Sequence, residues 1–227
     1  MSAEELSEAR TNVSVDNEIH GAYAWHAGNA NSYLISRRKR ALDLLFAVAG
    51  LVIMLVLIVP VSIVVVASSG FPVFYRRDRL GLYGRKFVMV KFKTMSRSKN
   101  DDINRLRTAK DDPRISKVGR ILRKTYVDEL PQFWNVFKGE MSAVGPRPEF
   151  PELAVELRQI RTQFPKRLLG KPGVTGLAQI RYVYSHDNAH AAGRLPYDLE
   201  YLKKASVRYD LWIVWRTIAK ALKFGGT

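Results

Sequence analysis

The apolar run at residues 44–67 constrains this chain of 227 residues more than any other feature. It contains no charged side chain, and the uncharged stretch continues to Tyr75. Apolar stretches longer than about 18 residues are typical of membrane insertion. A buried core segment of a soluble protein is the alternative, but such segments are usually shorter. We therefore expect a protein that inserts into the lipid bilayer.

Basic residues flank both ends of this run, at positions 37–40 before it and between 76 and 86 after it. Because Lys and Arg are retained on the cytoplasmic side, both ends are expected there. Pro60 removes a backbone donor in the middle of the run. The residues before it, from position 44, would extend only about 24 Å as a helix, less than the roughly 30 Å hydrocarbon core. We predict a re-entrant membrane helix broken at Pro60; a kinked spanning helix is the alternative.

Charge is spread unevenly over the chain, whose formal net charge is +16. Residues 1–35 are polar and have little apolar periodicity, so a mostly disordered tail is expected. Residues 36–75 form the basic flank and membrane helix, and residues 76–227 a cytosolic domain. Positions 76–124 hold seventeen Lys and Arg against five Asp, which indicates an anionic partner. The absence of cysteine excludes disulfides, thiolate zinc sites and a cysteine nucleophile.

The rest of the chain predicts an α+β fold that is mainly helical. A small β-hairpin is expected, with its strands and turn at residues 71–77, 81–84 and 86–92. Helices are expected at residues 115–124, 129–138 and 151–164. Gly139 is expected to end the second of these helices. The amphipathic stretch 210–224 contains Trp and basic residues, which suits either a helix at the membrane interface or one packed on the core.

Adjacent carboxylates, Asp128 and Glu129, precede Pro131, a residue tolerated in the first turn of a helix. The positive end of the helix dipole is expected to keep such a carboxylate ionised. An ionised Asp can attack phosphorus or bind a divalent cation, and the neighbouring Glu can share that metal. Arg123 could bind a phosphate with its planar donors. On spacing alone, however, the preferred interpretation is that Asp128 is an N-cap and Glu129 a favourable first-turn acid.

Four further segments present basic or turn residues. Residues 91–95 place Lys91 and Lys93 on one face of a strand, and residues 112–114 read Asp-Pro-Arg. Residues 145–148 form a rigid Gly-Pro-Arg-Pro loop that presents Arg147. The glycines of residues 171–179 allow close backbone approach. Any one of these segments could be an ordinary solvated loop.

Read in order with Asp-Glu-Leu-Pro-Gln at residues 128–132, these segments closely resemble the bacterial sugar transferase family, the monotopic phosphoglycosyl transferases. The resemblance runs from about Lys39 to near the C-terminus. It also includes residues 72–74, Trp134-Asn135-Val136 and residues 139–142.

The resemblance implies transfer of sugar-1-phosphate from a nucleoside diphosphate sugar, usually a UDP-sugar, to polyprenyl (undecaprenyl) phosphate. UMP is released, and assembly of a surface glycan begins. Asp128 corresponds to the nucleophile that forms a covalent phosphosugar intermediate, and Asp128 and Glu129 to the carboxylates beside Mg²⁺. We assign substrate or phosphate contacts to Lys91, Lys93, Arg123, Arg147, Thr175 and Gln179.

The resemblance further implies a catalytic domain on the cytoplasmic face of the bacterial inner membrane, with a membrane helix broken at a proline that corresponds to Pro60. Relatives often have Ser-Pro at this break, whereas Val59 precedes Pro60 here. The larger members carry additional N-terminal membrane helices and a soluble domain, so the chain is expected to be a minimal catalytic form. The sugar, its specificity loop (a candidate lies at residues 181–195) and the oligomeric state stay open.

The sequence also contains features of two other functions, metal binding and nucleic-acid binding. His186 and His190 are four residues apart and could bind a metal, but Ser185, Asn188 and Gly193 favour a loop there. The basic block would also suit a membrane-tethered protein that binds nucleic acid or has a structural role without catalysis. No nucleic-acid motif accompanies the basic block, so we expect no nucleic-acid partner.

Overall fold

A computed structural model describes residues 31–95, 112–182 and 192–222. Within them, the helices are α1 (Arg37–Ser69), α2 (Lys117–Lys124), α3 (Gln132–Lys138), α4 (Pro151–Ile160), α5 (Leu177–Arg181), α6 (Leu195–Lys204) and α7 (Val207–Leu222). The strands are β1 (Phe74–Leu80), β2 (Lys86–Phe92), β3 (Ser142–Val144) and β4 (Gly173–Thr175). The predicted combination of mainly helical structure, a small hairpin and one long apolar helix is confirmed.

Helix α1 begins after Ser36, whose Oγ accepts a hydrogen bond from the backbone N–H of Lys39 at 3.1 Å. Its 33 residues correspond to about 50 Å of helix. Within the described ranges it is the one helix long and apolar enough to cross a membrane. Gly70, with a φ of 71°, follows its last residue.

The break predicted at Pro60 is not confirmed, because α1 continues through that residue. The packing of α1 does change along its length. Ala47 is buried with residues of α3, and Val61 and Val65 are buried against Phe92 and α2. Between them, no residue from 51 to 60 is buried. The middle of α1 is therefore half-buried or exposed, whereas the stretches on either side of it contain buried residues that pack on the same domain.

Helices α1 and α3 approach closely where they pack. A Cβ atom added at Gly50 of α1 would overlap the ring of Phe133. The absence of a side chain at Gly50 thus allows α3, which follows the adjacent carboxylates, to lie directly on α1.

The hairpin formed by β1 and β2 is antiparallel, with a register from Phe74 opposite Phe92 to Leu80 opposite Lys86. The second strand occupies the predicted residues, and the turn is a 3-10 helix at Leu82–Gly84. The first strand begins three residues later than predicted, after Pro72, which has no N–H to donate to a ladder.

The two loops predicted at residues 145–148 and 171–179 lie side by side. Strands β3 and β4, which the sequence did not reveal, pair in parallel just before and within them. The N–H of Gly145 donates to the carbonyl of Thr175 at 2.9 Å, and that of Gly173 donates to the carbonyl of Pro146 at 2.9 Å. This pairing holds in place the first residues of the loop 145–148, which carries Arg147.

The predicted helices are present with shorter bounds. Ser116 caps α2 through its Oγ, and α3 ends at Gly139, whose φ of 88° confirms the expected stop. Helix α7 has one side packed on the core and another side that is apolar and exposed, so it has features of both alternatives given for residues 210–224. Asp210 and Ile213 are buried, whereas the other side of the helix exposes Leu211, Trp215, Ile218 and Leu222.

Part of the predicted N-terminal tail is ordered. Residues Ser32–Ile35 form a 3-10 turn, and Leu34 is buried. The side-chain amide of Asn31 donates to the carbonyls of Lys203 and Ala205, at 3.1 and 2.9 Å. Residues 31–35, within the segment expected to be mostly disordered, therefore have a defined structure. Residues 1–30, His186, His190 and most of the candidate specificity loop lie outside the described residues.

Candidate active site

Asp128 and Glu129 lie in the short 3-10 helix Val127–Glu129, immediately before α3. Tyr126 precedes it in the left-handed conformation, with a φ of 58°, and thereby turns the chain out of α2. Pro131 directly precedes α3. The prediction that the two carboxylates lie at or near a helix start is confirmed. Both side chains are buried, each residue being 7% exposed.

Glu129 is held by two cations from separate parts of the chain. Its Oε1 atom accepts a hydrogen bond from Nζ of Lys91 on β2 at 2.5 Å. The same oxygen accepts from Nη2 of Arg147 at 3.0 Å. The predicted residues Lys91, Arg147 and Glu129 are therefore brought together, although their positions span more than fifty residues of sequence.

Asp128 differs from its neighbour, because its carboxylate makes no hydrogen bond or ion pair within the described ranges. Burial raises its pKa to about 6, although Lys91 and Arg123 oppose the shift. Burial also raises the pKa of Glu129, but Lys91 and Arg147 outweigh it and lower that pKa to about 2. The two adjacent acids therefore have very different proton affinities.

This result changes the expected effect of the helix start. We expected the helix dipole to keep Asp128 ionised, but burial has the larger influence on its pKa. With a pKa of about 6, Asp128 is still mostly ionised at neutral pH. A carboxylate that is ionised, buried and without a hydrogen-bond donor is poorly stabilised, which makes it a better nucleophile than a solvated one.

Arg123 lies close to the pair Asp128 and Glu129, here called the dyad. Its Nε donates to Oγ1 of Thr94 at 2.9 Å, and its positive charge acts on Asp128. Burial lowers its pKa, while the attraction of Asp128 opposes that change. The guanidinium is thus a partly buried cation close to the unpaired carboxylate, where a phosphate could bind.

Three predicted contact residues have hydrogen bonds to parts of the chain other than Asp128 and Glu129. Nζ of Lys93 donates to the carbonyls of Gly70 and Phe71 at the end of α1, at 3.2 and 3.1 Å. Oγ1 of Thr175 lies 2.7 Å from that of Thr217, and Nε2 of Gln179 donates to the carbonyl of Val174 at 3.0 Å. Their assignment to substrate stays a prediction.

Two supporting residues were missed as candidates. Nη2 of Arg167, a buried residue, donates to the carbonyl of Arg147 at 2.8 Å and also contacts Asp198, while its Nη1 contacts Glu149. Asn135 connects α3 to β2, donating to the carbonyl of Val88 at 2.8 Å and accepting from the N–H of Val90 at 3.3 Å. Asn135 lies in the quoted Trp-Asn-Val motif, but no local pattern marks Arg167.

Binding of Mg²⁺ at the dyad depends on the oxygen ligands that Asp128 and Glu129 offer. The described ranges contain no group of three or more His, Cys, Asp or Glu that could bind a metal. Mg²⁺ at phosphate sites usually takes one or two carboxylates, with phosphate oxygens and waters completing its shell. The carboxylate of Asp128 makes no hydrogen bond within the described ranges. Lys91 and Arg147 both donate to the same oxygen of Glu129, Oε1. This donor set fits Mg²⁺ that binds together with a diphosphate.

The order of these groups along the chain can be compared with known families. The sequence model of the family described as bacterial sugar transferase matches residues 34–224, most of the chain. The chain belongs to the bacterial sugar transferase family. This family assignment agrees with the resemblance carried by the Asp-Glu-Leu-Pro-Gln motif.

Curated relatives of this bacterial sugar transferase differ in length. The UDP-glucose:undecaprenyl-phosphate glucose-1-phosphate transferase of Escherichia coli (strain K12) is 38% identical over 184 residues, covering 80% of this chain but 39% of that protein. Exopolysaccharide production protein ExoY of Sinorhizobium fredii is 35% identical over 194 residues, covering 79% and 83%. Exopolysaccharide production protein PSS of Rhizobium leguminosarum bv. phaseoli is 33% identical over 196 residues, covering 82% and 96%. This chain thus spans about two fifths of the first relative.

Proposed function

We propose that this bacterial sugar transferase moves a sugar-1-phosphate from a UDP-sugar to polyprenyl (undecaprenyl) phosphate. The reaction would release UMP and start the assembly of a surface glycan. The observation that carries this proposal is the asymmetric dyad, in which Asp128 is buried and unpaired while Glu129 is held by two cations. The names of relatives that act on UDP-sugars and undecaprenyl phosphate support the same substrates.

Transfer would proceed in two displacements at one phosphorus atom. A carboxylate oxygen of Asp128 attacks the phosphorus that carries the sugar, and a P–O bond forms. The bond from that phosphorus to the bridging oxygen of the diphosphate breaks, and its electron pair leaves with UMP. A phosphate oxygen of the polyprenyl phosphate then attacks the same phosphorus and releases Asp128 as a carboxylate.

The cations around the dyad are suited to the charge of this reaction. Lys91, Arg123 and Arg147 surround a buried site in which they would bind the diphosphate and the leaving UMP. Asp128 and Glu129 would hold Mg²⁺ delivered with the donor, and the ion would neutralise phosphate charge during transfer. We keep Lys93, Thr175 and Gln179 as further substrate contacts.

The site would work at the cytoplasmic face of the bacterial inner membrane. We propose that α1 dips into one leaflet and returns, because both of its flanking stretches pack on the same domain while none of residues 51–60 is fully buried. The exposed apolar side of α7 is suited to the interface of that membrane. A shallow position would hold Asp128 near the headgroups, where the phosphate of the acceptor lies.

The activity can be tested with the full-length protein in detergent or vesicles. UDP-sugars are supplied singly with undecaprenyl phosphate and Mg²⁺, and UMP release is measured. We expect release with at least one sugar. Donor without acceptor should add the mass of one sugar phosphate to the intact protein. No UMP from any sugar of a broad panel would refute the proposal, and binding to nucleic acid would support the alternative class.

The re-entrant path can be tested because the chain contains no cysteine. Single cysteines replace the exposed residues Ser32 and Asp78, one on each side of α1. A membrane-impermeant thiol reagent is then applied to oriented vesicles. We expect both positions to react from the cytoplasmic side. Reaction from opposite sides would mean that α1 spans the membrane.

A further inference from the structure

A buried amide without a hydrogen-bond partner lies close in sequence to Asp128. Gln132 is 1% exposed, and its Nε2 atom makes no hydrogen bond within the described residues. Buried polar groups are nearly always hydrogen-bonded, so such an atom calls for an explanation. In the described ranges, Oε1 of Gln179 is another buried side-chain atom without a hydrogen bond.

The backbone places Gln132 one turn after the pair Asp128 and Glu129. Leu130 and Pro131 have right-handed helical dihedral angles, so helical conformation continues from Val127 into α3. The N–H of Leu130 donates to the carbonyl of Val127, and that of Phe133 to the carbonyl of Leu130, so this stretch turns about once every three residues. Gln132 therefore lies one turn beyond Glu129 on the same face, and Asp128 directly precedes Glu129.

Strand β2 lies opposite this face. Asn135, three residues after Gln132, hydrogen-bonds to Val88 and Val90 of β2. Glu129, three residues before it, contacts Lys91 of the same strand. Gln132 lies between these two contacts along the helix, so its side chain is enclosed between α3 and the part of β2 that carries Lys91.

The two unpaired groups are complementary. The carboxylate of Asp128 accepts no hydrogen bond, the amide of Gln132 donates none, and they do not bond to each other. Both are buried. A group bound between them that supplies an acceptor to Gln132 and is bonded to Asp128 would satisfy both. A phosphoryl group carried by Asp128 has non-bridging oxygens suited to that position.

We infer that Gln132 is a further catalytic residue, whose Nε2–H donates to a non-bridging oxygen of the phosphoryl group while that group is bonded to Asp128. This inference rests on the proposed function. The contact would form as the Asp128–phosphorus bond forms and would be lost when the acceptor takes the phosphoryl group. An interaction made only during reaction raises kcat rather than substrate affinity.

Gln132→Met tests the role of the amide in the full-length enzyme, since Met matches Gln in length and lacks the donor. We expect kcat for UMP release to fall by at least about tenfold, with KM nearly unchanged. The melting temperature should stay equal or rise, because an unpaired buried amide is replaced by an apolar group. Gln163→Met, at an exposed glutamine, is the matched control and should keep activity within about twofold.

Each other outcome has a definite meaning. Activity of Gln132→Met within twofold of wild type would overturn the inference. A fall in melting temperature that accompanies the loss of activity would assign a structural role, for example through a buried water, and would also overturn it. Failure of both Gln132→Met and Gln132→Leu to fold would have the same meaning. If Asp128→Asn retains activity, the proposed function itself fails, independently of Gln132.

Discussion

The chain has two buried clusters of charge that differ in how completely they are hydrogen-bonded. In the first, at the start of α1, Nζ of Lys39 donates to Asp43 at 3.1 Å and to Asp210 at 2.8 Å. Asp210 also accepts from the hydroxyl of Tyr201 at 2.8 Å, and Asp43 from Oγ of Ser142 at 2.8 Å. We call these five residues the structural cluster. Both of its carboxylates are paired.

The second cluster is the dyad, Asp128 and Glu129. Glu129 is as well paired as the acids of the structural cluster, but the carboxylate of Asp128 makes no hydrogen bond within the described residues, and the buried Nε2 atom of Gln132 has no partner there. The structural cluster joins α1, β3, α6 and α7, so its bonds hold elements together. The dyad leaves unsatisfied the groups that would contact the substrate. Incomplete hydrogen bonding of buried groups therefore distinguishes the candidate catalytic site from an equally buried charge cluster.

Asp128→Asn should have the largest effect and should act on activity rather than folding. We expect UMP release to fall by at least about a thousandfold, because the amide cannot act as the nucleophile. Asp78→Asn, at an exposed position on β1, is the matched control and should leave the rate within about twofold. Full activity of Asp128→Asn would remove the distinction between the two clusters.

The same variant should be more stable than the wild type at neutral pH. The pKa of Asp128 is raised to about 6, above its unfolded value, so its contribution to stability is present at low pH and is lost as pH rises through 6. Asn does not ionise, and the gain at pH 7 should be on the order of 1–3 kcal/mol. Denaturant unfolding at pH 7 and pH 4 measures it, and the gain should be smaller at pH 4.

Lys39→Met should act mainly on stability. It leaves Asp43 and Asp210 buried without their shared cation, and breaking a buried ion pair in this way costs about 3–5 kcal/mol. Arg38→Met, at an exposed neighbour on α1, should change the free energy of unfolding by less than about 0.5 kcal/mol. Equal stability of the two variants would show that the structural cluster does not hold α1 in place.

The pH dependence of activity should report the dyad. Asp128 must be ionised to attack, so kcat/KM should fall about tenfold between pH 7 and pH 5 as its pKa of about 6 is crossed. Glu129, with its pKa lowered to about 2, should not titrate in this range. Steady-state rates of UMP release across this range test both statements. A flat profile would contradict the raised pKa.

Tyr201→Phe should have the smallest effect. It removes one hydroxyl that donates to Asp210 in the structural cluster, and we expect a loss of about 1–2 kcal/mol with unchanged kcat. Tyr197→Phe, at a tyrosine of α6 whose hydroxyl makes no hydrogen bond within the described ranges, should cost less. Urea unfolding and rate measurements on both variants would make the comparison.

The secondary structure could be predicted where neighbouring residues in the sequence determine the backbone conformation. Residues 86–92 are rich in Val and Phe, as strands are, and Gly139 supplies a left-handed stop. The apolar run predicted a helix, but the break expected at Pro60 is not confirmed, because α1 continues through it. The pairing of β3 with β4 could not be predicted, because each is only three residues long and its partner is distant in sequence.

Sequence alone determined the residue types of the candidate site: two adjacent acids before a helix, basic residues in separate motifs and a long apolar segment upstream. The order of the motifs was sufficient to predict these residue types, because that order can be read directly from the sequence. Only the tertiary structure decided that Lys91 and Arg147 both pair with Glu129 while Asp128 stays unpaired and Lys93 turns to the end of α1. Pairing and burial depend on which distant segments pack together, and the pKa difference between two neighbouring carboxylates follows from that packing.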